Sequence, residues 1–365
     1  MCNLRPRCHR LTATLIILVA GSQAHVQGHD GEDHGPAATP ASAAEPEPEP
    51  TTASPVRVGD GKLSFQTVPG WGRIPGSKTL GATHGGIVVD KQGSIYFNVD
   101  QGEHAVVVCR PDGTFVRSFG KQYSGIHGMV INEEDGKEFI YAAHLRGAQI
   151  VKFALGGRVA WTLGVPIESG KYDEKRKYQP TAVAVGPDGD IYVADGYGQN
   201  WVHQFDKDRK YLRSFGGRGK EPGKFQTCHG LALDRRGARP LLLVCDRENR
   251  RLQHFDLEGN FVAVIAENLR RPCAVTFHGP RVAVAELEGR VTILDGKNRV
   301  IAALGDNPDR EQWAQFAVPV SKWQEGIFTA PHGTCFDRAG NLYVMDWNKF
   351  GRIRKLAKVT KVATP

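Results

Sequence analysis

The sequence comprises 365 residues with 40% hydrophobic content, which is enough to bury a large core within one domain. The formal net charge is +8, and it is unevenly distributed. Residues 1–55 carry three arginines and six acidic residues, so residues 56–365 carry +11. A modestly basic surface suits anionic substrates. Because no lysine- or arginine-rich block has interleaved aromatic residues, we expect no nucleic-acid partner.

The first 24 residues have the features of a secretory signal peptide. Three arginines precede the apolar run LTATLIILVA, and SQA at 22–24 places small residues at the two positions that a signal peptidase reads. The apolar run is too short for a stable membrane span, and no cysteine follows it at a lipoprotein cleavage site. We therefore expect residues 1–24 to be a signal peptide, and a secreted or periplasmic protein without a membrane span.

Residues 25–55 contain mainly glycine, histidine, aspartate, alanine and the alternation EPEPEP. A segment of this composition cannot pack, so we expect a stiff linker or a disordered arm. His25, His29 and His34 could bind a metal ion loosely, but the composition favours a solvated tail.

From residue 56 onward one pattern recurs six times. Each unit begins with a short apolar strand, turns at an Asp or Gly pair, and continues with an apolar strand that ends in a polar residue. The segment 179–216 shows four such strands in succession. The units begin, at spacings of 43 to 59 residues, at His84, His127, Thr181, His229, Cys273 and His332. A lone four-stranded sheet cannot bury both faces, so this repetition predicts an all-β fold, a six-bladed β-propeller.

The ends of the propeller are predicted to close on each other. After His332 the chain offers only three strands for the last unit. The segment KLSFQTVPGWG, residues 62–72, resembles the fourth strands FVRSFG and YLRSFG of other units. Pairing this N-terminal strand with the last blade would remove an open sheet edge. We expect residues 56–365 to form this one domain.

The cysteines after the signal peptide do not predict a disulfide framework, because their number is odd and their spacing irregular. Small buried apolar side chains are the favoured interpretation. These residues are Cys109, Cys228, Cys245, Cys273 and Cys335.

The residues that open the six units carry the strongest functional signal. In a propeller the first strand of each blade lines the central channel, so these residues form a ring at one mouth. Four are histidines, each followed by glycine, which lets the backbone approach the axis. His127, His229 and His332 lie on alternate blades and predict a metal site with an open position, as in catalytic zinc sites. The alternative is a set of hydrogen-bonded channel histidines.

Two further members of the ring lie outside this triad. His84 could be a fourth metal ligand, a general base or a hydrogen-bonded channel histidine. We expect Cys273 to pack rather than to bind metal.

A second layer of polar residues ends the second strands. We expect some of them to accept hydrogen bonds from metal-binding imidazoles and others to cap turns. They are Asp100, His144, Asp195, Asp246, Glu286 and Asp346.

The units resemble NHL repeats, and two segments go further. PTAVAVGPDGDIYVADGYGQNWVHQF and CHGLALDRRGARPLLLVCDRENRRLQHFD resemble the lyase domain of peptidylglycine α-amidating enzymes, peptidyl-α-hydroxyglycine α-amidating lyase. The resemblance implies that zinc is bound by histidines at the three triad positions. It implies Tyr197, in Asp-Gly-Tyr, as the base on the substrate hydroxyl, and Arg247, in Asp-Arg-Glu-Asn, as a partner of a substrate carboxylate.

Several features of the lyase pattern are missing. No arginine follows the second strand of blade one, although Arg146 on blade two could supply a replacement cation. Ala330 stands where the lyase has a methionine, and Gly198 stands where it has a disulfide cysteine. Gly333 replaces the acidic ligand of a structural calcium ion, which makes calcium doubtful here.

Two functions follow from these patterns. The first is a zinc-dependent lyase that cleaves the C–N bond of a peptidyl α-hydroxyglycine or similar carbinolamide, giving an amide and glyoxylate. The second is a non-catalytic secreted propeller that binds a protein or glycan and holds a structural metal. A sugar-lactone hydrolase is a third interpretation, but those propellers hold calcium with oxygen ligands, whereas this ring is rich in imidazole. We expect a monomer that acts on a small-molecule or peptide substrate.

Overall fold

The computed structural model describes residues 53–60 and 63–359. They form six antiparallel sheets, five with four strands and one with five. The predicted signal peptide and most of the predicted linker lie outside the described residues. Within the described part, no helix is long and apolar enough to cross a membrane.

The strands of the first three blades follow two N-terminal strands, β1 (Arg57–Asp60) and β2 (Leu63–Val68). Blade one contains β3 (Ile87–Val89), β4 (Ile95–Gln101), β5 (His104–Cys109) and β6 (Phe115–Phe119). Blade two contains β7 (Ile126–Glu134), β8 (Lys137–His144), β9 (Gln149–Ala154) and β10 (Val159–Leu163). Blade three contains β11 (Ala182–Val185), β12 (Ile191–Ala194), β13 (Trp201–Phe205) and β14 (Tyr211–Gly216).

The remaining blades repeat this arrangement. Blade four contains β15 (Cys228–Asp234), β16 (Leu241–Asp246), β17 (Arg251–Phe255) and β18 (Phe261–Ala266). Blade five contains β19 (Pro272–His278), β20 (Arg281–Glu286), β21 (Arg290–Leu294) and β22 (Val300–Leu304). Blade six contains β23 (Pro331–Phe336), β24 (Leu342–Asp346) and β25 (Arg352–Lys358). Short 3₁₀ helices lie in the connections at Lys121–Tyr123, Ile167–Ser169, Arg310–Gln312 and Val320–Lys322.

The ring is closed by the N-terminal strand, as predicted. β2 pairs antiparallel with β25, with Phe65 opposite Lys358 and Val68 opposite Lys355. β1 then adds a fifth strand outside β2. The sequence did not predict β1, because in RVGD only Val58 is buried and no alternating pattern is long enough to see. The six-bladed, all-β architecture with an N-terminal closing strand is therefore confirmed.

The hydrophobic core is divided among the blade interfaces. Six apolar clusters each combine side chains from two neighbouring blades. Between blades five and six, for example, Phe65, Ile293 and Leu342 belong to one cluster. Since each blade packs against both neighbours, the positions of the inner strands around the channel are fixed by the whole ring.

A buried amide also joins two inner strands. Asn98 is fully buried, and its Oδ1 accepts the backbone N–H of Gly86 at 2.7 Å. Its Nδ2 donates to the carbonyl of Ile126 at 2.6 Å. One side chain therefore satisfies a donor in blade one and an acceptor in blade two.

A buried charge cluster links blades four and five away from the histidine ring. Asp234 accepts hydrogen bonds from Arg236 at 2.6 Å and from His254 at 3.0 Å. Arg236 also donates to Asn298 of blade five at 2.8 Å. Burial opposes ionisation of Asp234, but the hydrogen bonds from His254 and Arg236 outweigh it and hold the pKa of this carboxyl well below its usual range.

β-bulges direct the opening residue of several inner strands. The pairing of β15 with β16 shifts register between Cys228 and Gly230, which leaves His229 as the additional residue. Equivalent shifts occur around Cys273 and His332. Because a bulge bends the strand and redirects a side chain, it presents these residues to the axis.

The glycines that follow the histidines let neighbouring inner strands approach closely. A Cβ atom on Gly230 would lie 2.4 Å from the carbonyl oxygen of Cys273. On Gly333 it would lie 1.9 Å from the carbonyl oxygen of Gly85. These distances leave no room for a side chain, which agrees with the role predicted for the glycines.

The five cysteines within the described residues are free. Cys109, Cys228, Cys245 and Cys273 are buried, and Cys335 is partly buried. Burial raises the pKa of the Cys109 thiol to about 12, so this side chain stays neutral. They behave as small apolar side chains.

Candidate metal centre

Three histidines from alternate blades converge at one mouth of the channel. His127, His229 and His332 are buried, and one ring nitrogen from each lies within 4.8 Å of the others. Their ring centroids are 4.5 to 4.9 Å apart, and the rings meet edge to face. Among the His, Cys, Asp and Glu side chains of the described residues, these three lie close enough together to hold a metal ion.

Each of these imidazoles is oriented by a backbone carbonyl of the next blade. The Nδ1 atoms of His127 and His229 lie 2.8 Å from the carbonyl oxygens of Thr181 and Cys273. The Nδ1 of His332 lies 2.8 Å from the carbonyl oxygen of His84. The six opening residues therefore alternate between imidazoles that donate and residues whose carbonyls accept.

These hydrogen bonds select one tautomer. A carbonyl oxygen can only accept, so Nδ1 carries the proton and Nε2 carries the lone pair. Burial, with the nearby His332 and Arg247, holds the pKa of His229 well below its usual value, so its ring is neutral. Three Nε2 atoms that converge in this way fit a divalent transition metal, and nitrogen ligands suit zinc.

Some carboxylates of the second layer were expected to accept hydrogen bonds from the triad imidazoles, and the structure shows a different arrangement. The Nδ1 partners of the triad are carbonyls, so the carboxylates are not the groups that orient these rings. Asp195 accepts the backbone N–H of Gln179 at 2.6 Å and that of Gln199 at 2.5 Å. The hydroxyl of Tyr172 donates to it at 2.8 Å. Burial raises the pKa of Asp195 to about 7, and these donors counteract the rise. Such residues fix the backbone that leads into the inner strands.

Tyr197 contacts the triad directly. Its hydroxyl lies 2.9 Å from Nε2 of His229 and 3.3 Å from Nε2 of His127. Because Nδ1 of His229 already donates to a carbonyl, its Nε2 accepts, and the phenol is the donor. The hydroxyl of Tyr197 therefore lies beside the Nε2 atoms of two triad histidines.

Arg247 completes the polar side of the centre. It is 2% exposed, and its Nη1 donates to the hydroxyl of Tyr197 at 3.0 Å. Its Nε donates to Glu248 at 2.9 Å, and Arg271 binds the same carboxylate at 2.6 Å. The structure thus brings Tyr197 and Arg247 together with the triad, from blades three and four.

The other two predicted site residues lie in a neighbouring cluster. Nε2 of His84 is 3.4 Å from Oδ2 of Asp100. Arg146, whose side chain is 60% exposed, donates to the same oxygen at 3.2 Å and to Ser124 at 2.8 Å. Burial opposes ionisation of Asp100, but hydrogen bonds from His84, Gly125 and Arg146 lower its pKa to about 2. The roles predicted for His84 and Arg146 in metal or substrate binding stay predictions.

Two aromatic residues near the triad escaped the sequence reasoning. The ring of Trp347 lies 6.4 Å from that of His332, and Phe316 lies 6.1 Å from His84. Trp347 directly follows the last residue of β24, as Arg247 follows β16. This position, equivalent to that of Arg247, could have identified Trp347 as a residue of the channel mouth from the sequence. Phe316, in contrast, comes from a long connection without repeat spacing.

The channel continues behind the triad. A cavity there is lined by the opening residues of all six inner strands and by apolar side chains such as Ile87, Met129 and Leu231. The centre therefore lies at a channel mouth, with the Tyr197 and Arg247 side chains beside it.

Comparison with known proteins agrees with this architecture. The family model of the NHL repeat matches residues 178–205. Peptidyl-glycine alpha-amidating monooxygenase of Mus musculus is 38% identical over 258 residues, covering 67% of this chain and 25% of the mouse protein. A probable peptidyl-alpha-hydroxyglycine alpha-amidating lyase of Caenorhabditis elegans is 32% identical over 134 residues, covering 35% of this chain and 36% of that protein. The chain thus spans only a quarter to a third of these relatives.

Solved structures show the same fold at low sequence identity. A gluconolactonase from Xanthomonas campestris superposes with a TM-score of 0.56 at 14% identity, covering 87% of this chain and 99% of that one. A streptogramin B lyase gives 0.54 at 14% identity, covering 83% and 98%. These similarities establish the fold and carry no information on the reaction.

The fold and the repeats define this chain as an NHL-repeat β-propeller. Among propellers of this type, it resembles peptidyl-α-hydroxyglycine α-amidating lyase, the protein after which its C. elegans relative is named.

Proposed function

We propose that this protein is a zinc-dependent lyase that acts on a peptidyl α-hydroxyglycine or a similar carbinolamide and releases an amide and glyoxylate. The observation that carries the proposal is the position of Tyr197. Its hydroxyl lies against two Nε2 atoms of the triad and accepts a hydrogen bond from buried Arg247. The similarity to amidating enzymes supports the same reaction.

The metal is proposed to be zinc, held by Nε2 of His127, His229 and His332. When bound, it would supply Lewis acidity toward the hydroxyl oxygen of the substrate. Calcium fits this chain poorly, because it prefers oxygen ligands. At Gly333, where the lyase family has an acidic calcium ligand, a Cβ would lie 1.9 Å from a backbone oxygen.

Tyr197 and Arg247 would act on the substrate itself. With its phenol ionised beside the metal and the Arg247 cation, Tyr197 would take the proton of the substrate hydroxyl. The carbinol C–N bond breaks as the C=O bond of glyoxylate forms, and Tyr197 passes the proton on to the amide nitrogen. The reaction therefore moves one proton from oxygen to nitrogen and needs no oxidant. Arg247 donates to Tyr197 and is suited to bind the carboxylate. Arg146 remains a proposed second cation and His84 a proposed fourth ligand or base.

We further propose that the protein acts after export, as a secreted or periplasmic monomer on small peptides. The predicted signal peptide in residues 1–24 supports this proposal. N-terminal sequencing of the exported protein would locate the cleavage site, and its sedimentation would give the oligomeric state. An N-terminus that retains the LTATLIILVA segment would contradict the proposed processing.

The first test measures metal content and glyoxylate release together. The parent protein should bind about one zinc per chain, and the triple variant His127→Ala, His229→Ala, His332→Ala should bind none. A model N-acyl α-hydroxyglycine should then release glyoxylate, and chelation or Tyr197→Phe should abolish release. The matched control is Tyr123→Phe, a tyrosine of the connection between blades one and two whose ring packs on His144 and Phe153.

The outcomes separate the two functions. A parent protein without bound transition metal would exclude the lyase. Bound zinc without glyoxylate release would favour the second function, a binding propeller with a structural metal.

A further inference from the structure

The mouth of the channel has an aromatic side opposite Tyr197 and Arg247. Phe316 and Trp347 lie 4.8 Å apart, with ring planes 32° from parallel. Phe316 stacks on His84 at 26°, and Trp347 stacks on His332 at 28°. The two side chains are partly exposed. Their rings, tilted against each other, lie beside His332 of blade six and His84 of blade one, and together they are here called the aromatic wall.

Topology places the wall and the polar residues at the same mouth. Trp347 directly follows β24, as Arg247 directly follows β16, and Tyr197 lies in the connection after β12. The connection that carries Phe316 leads into β23, where His332 lies. With six blades in a ring, the junction of blades six and one faces the junction of blades three and four. The triad therefore lies between Tyr197 with Arg247 on one side and the aromatic wall on the other.

The wall is fixed by the backbone, not merely by ring contacts. The N–H of Trp347 donates to the carbonyl of Ala330 at 2.7 Å, and that of Lys349 donates to Phe316 at 2.9 Å. Trp347 packs against a buried cluster that includes Ala330 and Cys273. The small side chain of Ala330 in this cluster leaves space for the indole.

We propose that the aromatic wall of Phe316 and Trp347 selects substrates with an apolar, preferably planar, group on the amide side of the reacting carbon. The inference rests on the proposed lyase function. With the carboxylate at Arg247, the acyl group of the substrate extends to the opposite side of the triad. The Trp347 ring centroid lies 6.4 Å from that of His332 in the triad. Consecutive Cα atoms lie about 3.8 Å apart across a trans amide, so an acyl group with one further residue can span this distance. Aromatic surfaces favour stacked apolar partners over hydrated charged ones.

The test compares acyl groups on one reacting unit. Glyoxylate release would be measured for N-benzoyl, N-acetyl and N-succinyl α-hydroxyglycine with the zinc-loaded protein. We expect kcat/KM for the benzoyl compound to exceed that for the acetyl compound by about 10–200-fold, the range that apolar pockets provide. The succinyl compound, with its added charge, should be the poorest.

Variants then assign the preference to the wall. In Phe316→Ala and in Trp347→Ala the benzoyl-to-acetyl ratio should fall toward one. Trp347→Phe should retain most of it, which covers the case that the alanine variant fails to fold. Phe261→Ala is the control, since it removes a partly exposed phenyl from the outer strand β18. An unchanged ratio in both alanine variants, or no preference in the parent, would overturn the proposal.

A binding measurement tests the acyl preference of the aromatic wall independently of the proposed lyase reaction. N-benzoylglycine and N-acetylglycine lack the hydroxyl and cannot react, so calorimetry reports their affinities alone. Tighter binding of the benzoyl compound, lost in Trp347→Ala, supports the wall even if no glyoxylate is formed. Glyoxylate release without any acyl preference would contradict the wall and leave the lyase intact.

Discussion

Replacing Gly230 with alanine should weaken metal binding without touching a metal ligand. The new Cβ would lie 2.4 Å from the carbonyl oxygen of Cys273, where ordinary contact begins near 3.4 Å, so that oxygen must retreat by about 1 Å. The same oxygen accepts the Nδ1–H of His229 at 2.8 Å. The retreat lengthens this bond to about 3.8 Å, beyond hydrogen-bond range. Its loss should lower zinc affinity about 10–100-fold, and the overpacking should destabilise the fold by about 1–3 kcal/mol.

Competition with a chromogenic chelator would measure the zinc affinity, and urea titration would measure the free energy of unfolding. Gly156→Ala provides the control, because Gly156 is exposed and a Cβ there meets nothing within 4 Å. A Gly230→Ala protein with the zinc affinity of the parent would show that the carbonyl does not set the ligand orientation. The same loss in Gly156→Ala would point to a general effect of substitution.

Three further changes test other contacts. Asn98→Ala removes partners of two buried backbone groups and should lower the free energy of unfolding by about 2–4 kcal/mol in urea titrations; a smaller loss would mean that water replaces the amide. Tyr172→Phe removes a donor to buried Asp195 and should cost about 1.5–3 kcal/mol by the same measurement, whereas a neutral result would make that bond dispensable. Folding lowers the pKa of Asp234. The ionised Asp234 carboxylate therefore stabilises the fold fully above the usual carboxyl pKa, and this stabilisation is lost as the pH falls toward the pKa of Asp234 in the folded protein. Asp234→Asn should therefore destabilise more at pH 7 than at pH 3, unlike the exposed control Asp188→Asn; equal effects would contradict the shift.

The repeat pattern predicted the propeller because the alternation of strands and turns reflects the pairing of neighbouring strands within each blade. The strand pattern TAVAV and IYVAD fixes β11 and β12, and the missing fourth strand of blade six identified residues 62–72 as the closing strand. The positions of His127, His229 and His332 on alternate blades predicted their convergence. All of these inferences use only the periodicity of one chain.

What the sequence could not supply are the contacts between blades. The carbonyls of Thr181, Cys273 and His84 that orient the triad are backbone atoms, and no residue pattern identifies them. The expectation that carboxylates orient some imidazoles was wrong for the triad for this reason. Phe316 reaches the centre from a connection whose course is set by packing, so its position also needed the structure.

Closure of the ring has a consequence for biosynthesis. His332 binds the carbonyl of His84 across 248 positions of sequence, and β25 pairs with β2. A nascent chain that has emerged only as far as blade five offers two of the three imidazoles and lacks the strand that joins its ends. Coordination of the proposed metal by all three histidines would therefore wait until blade six has been synthesised. Metal uptake would mark the finished ring, and truncated chains would be metal-poor.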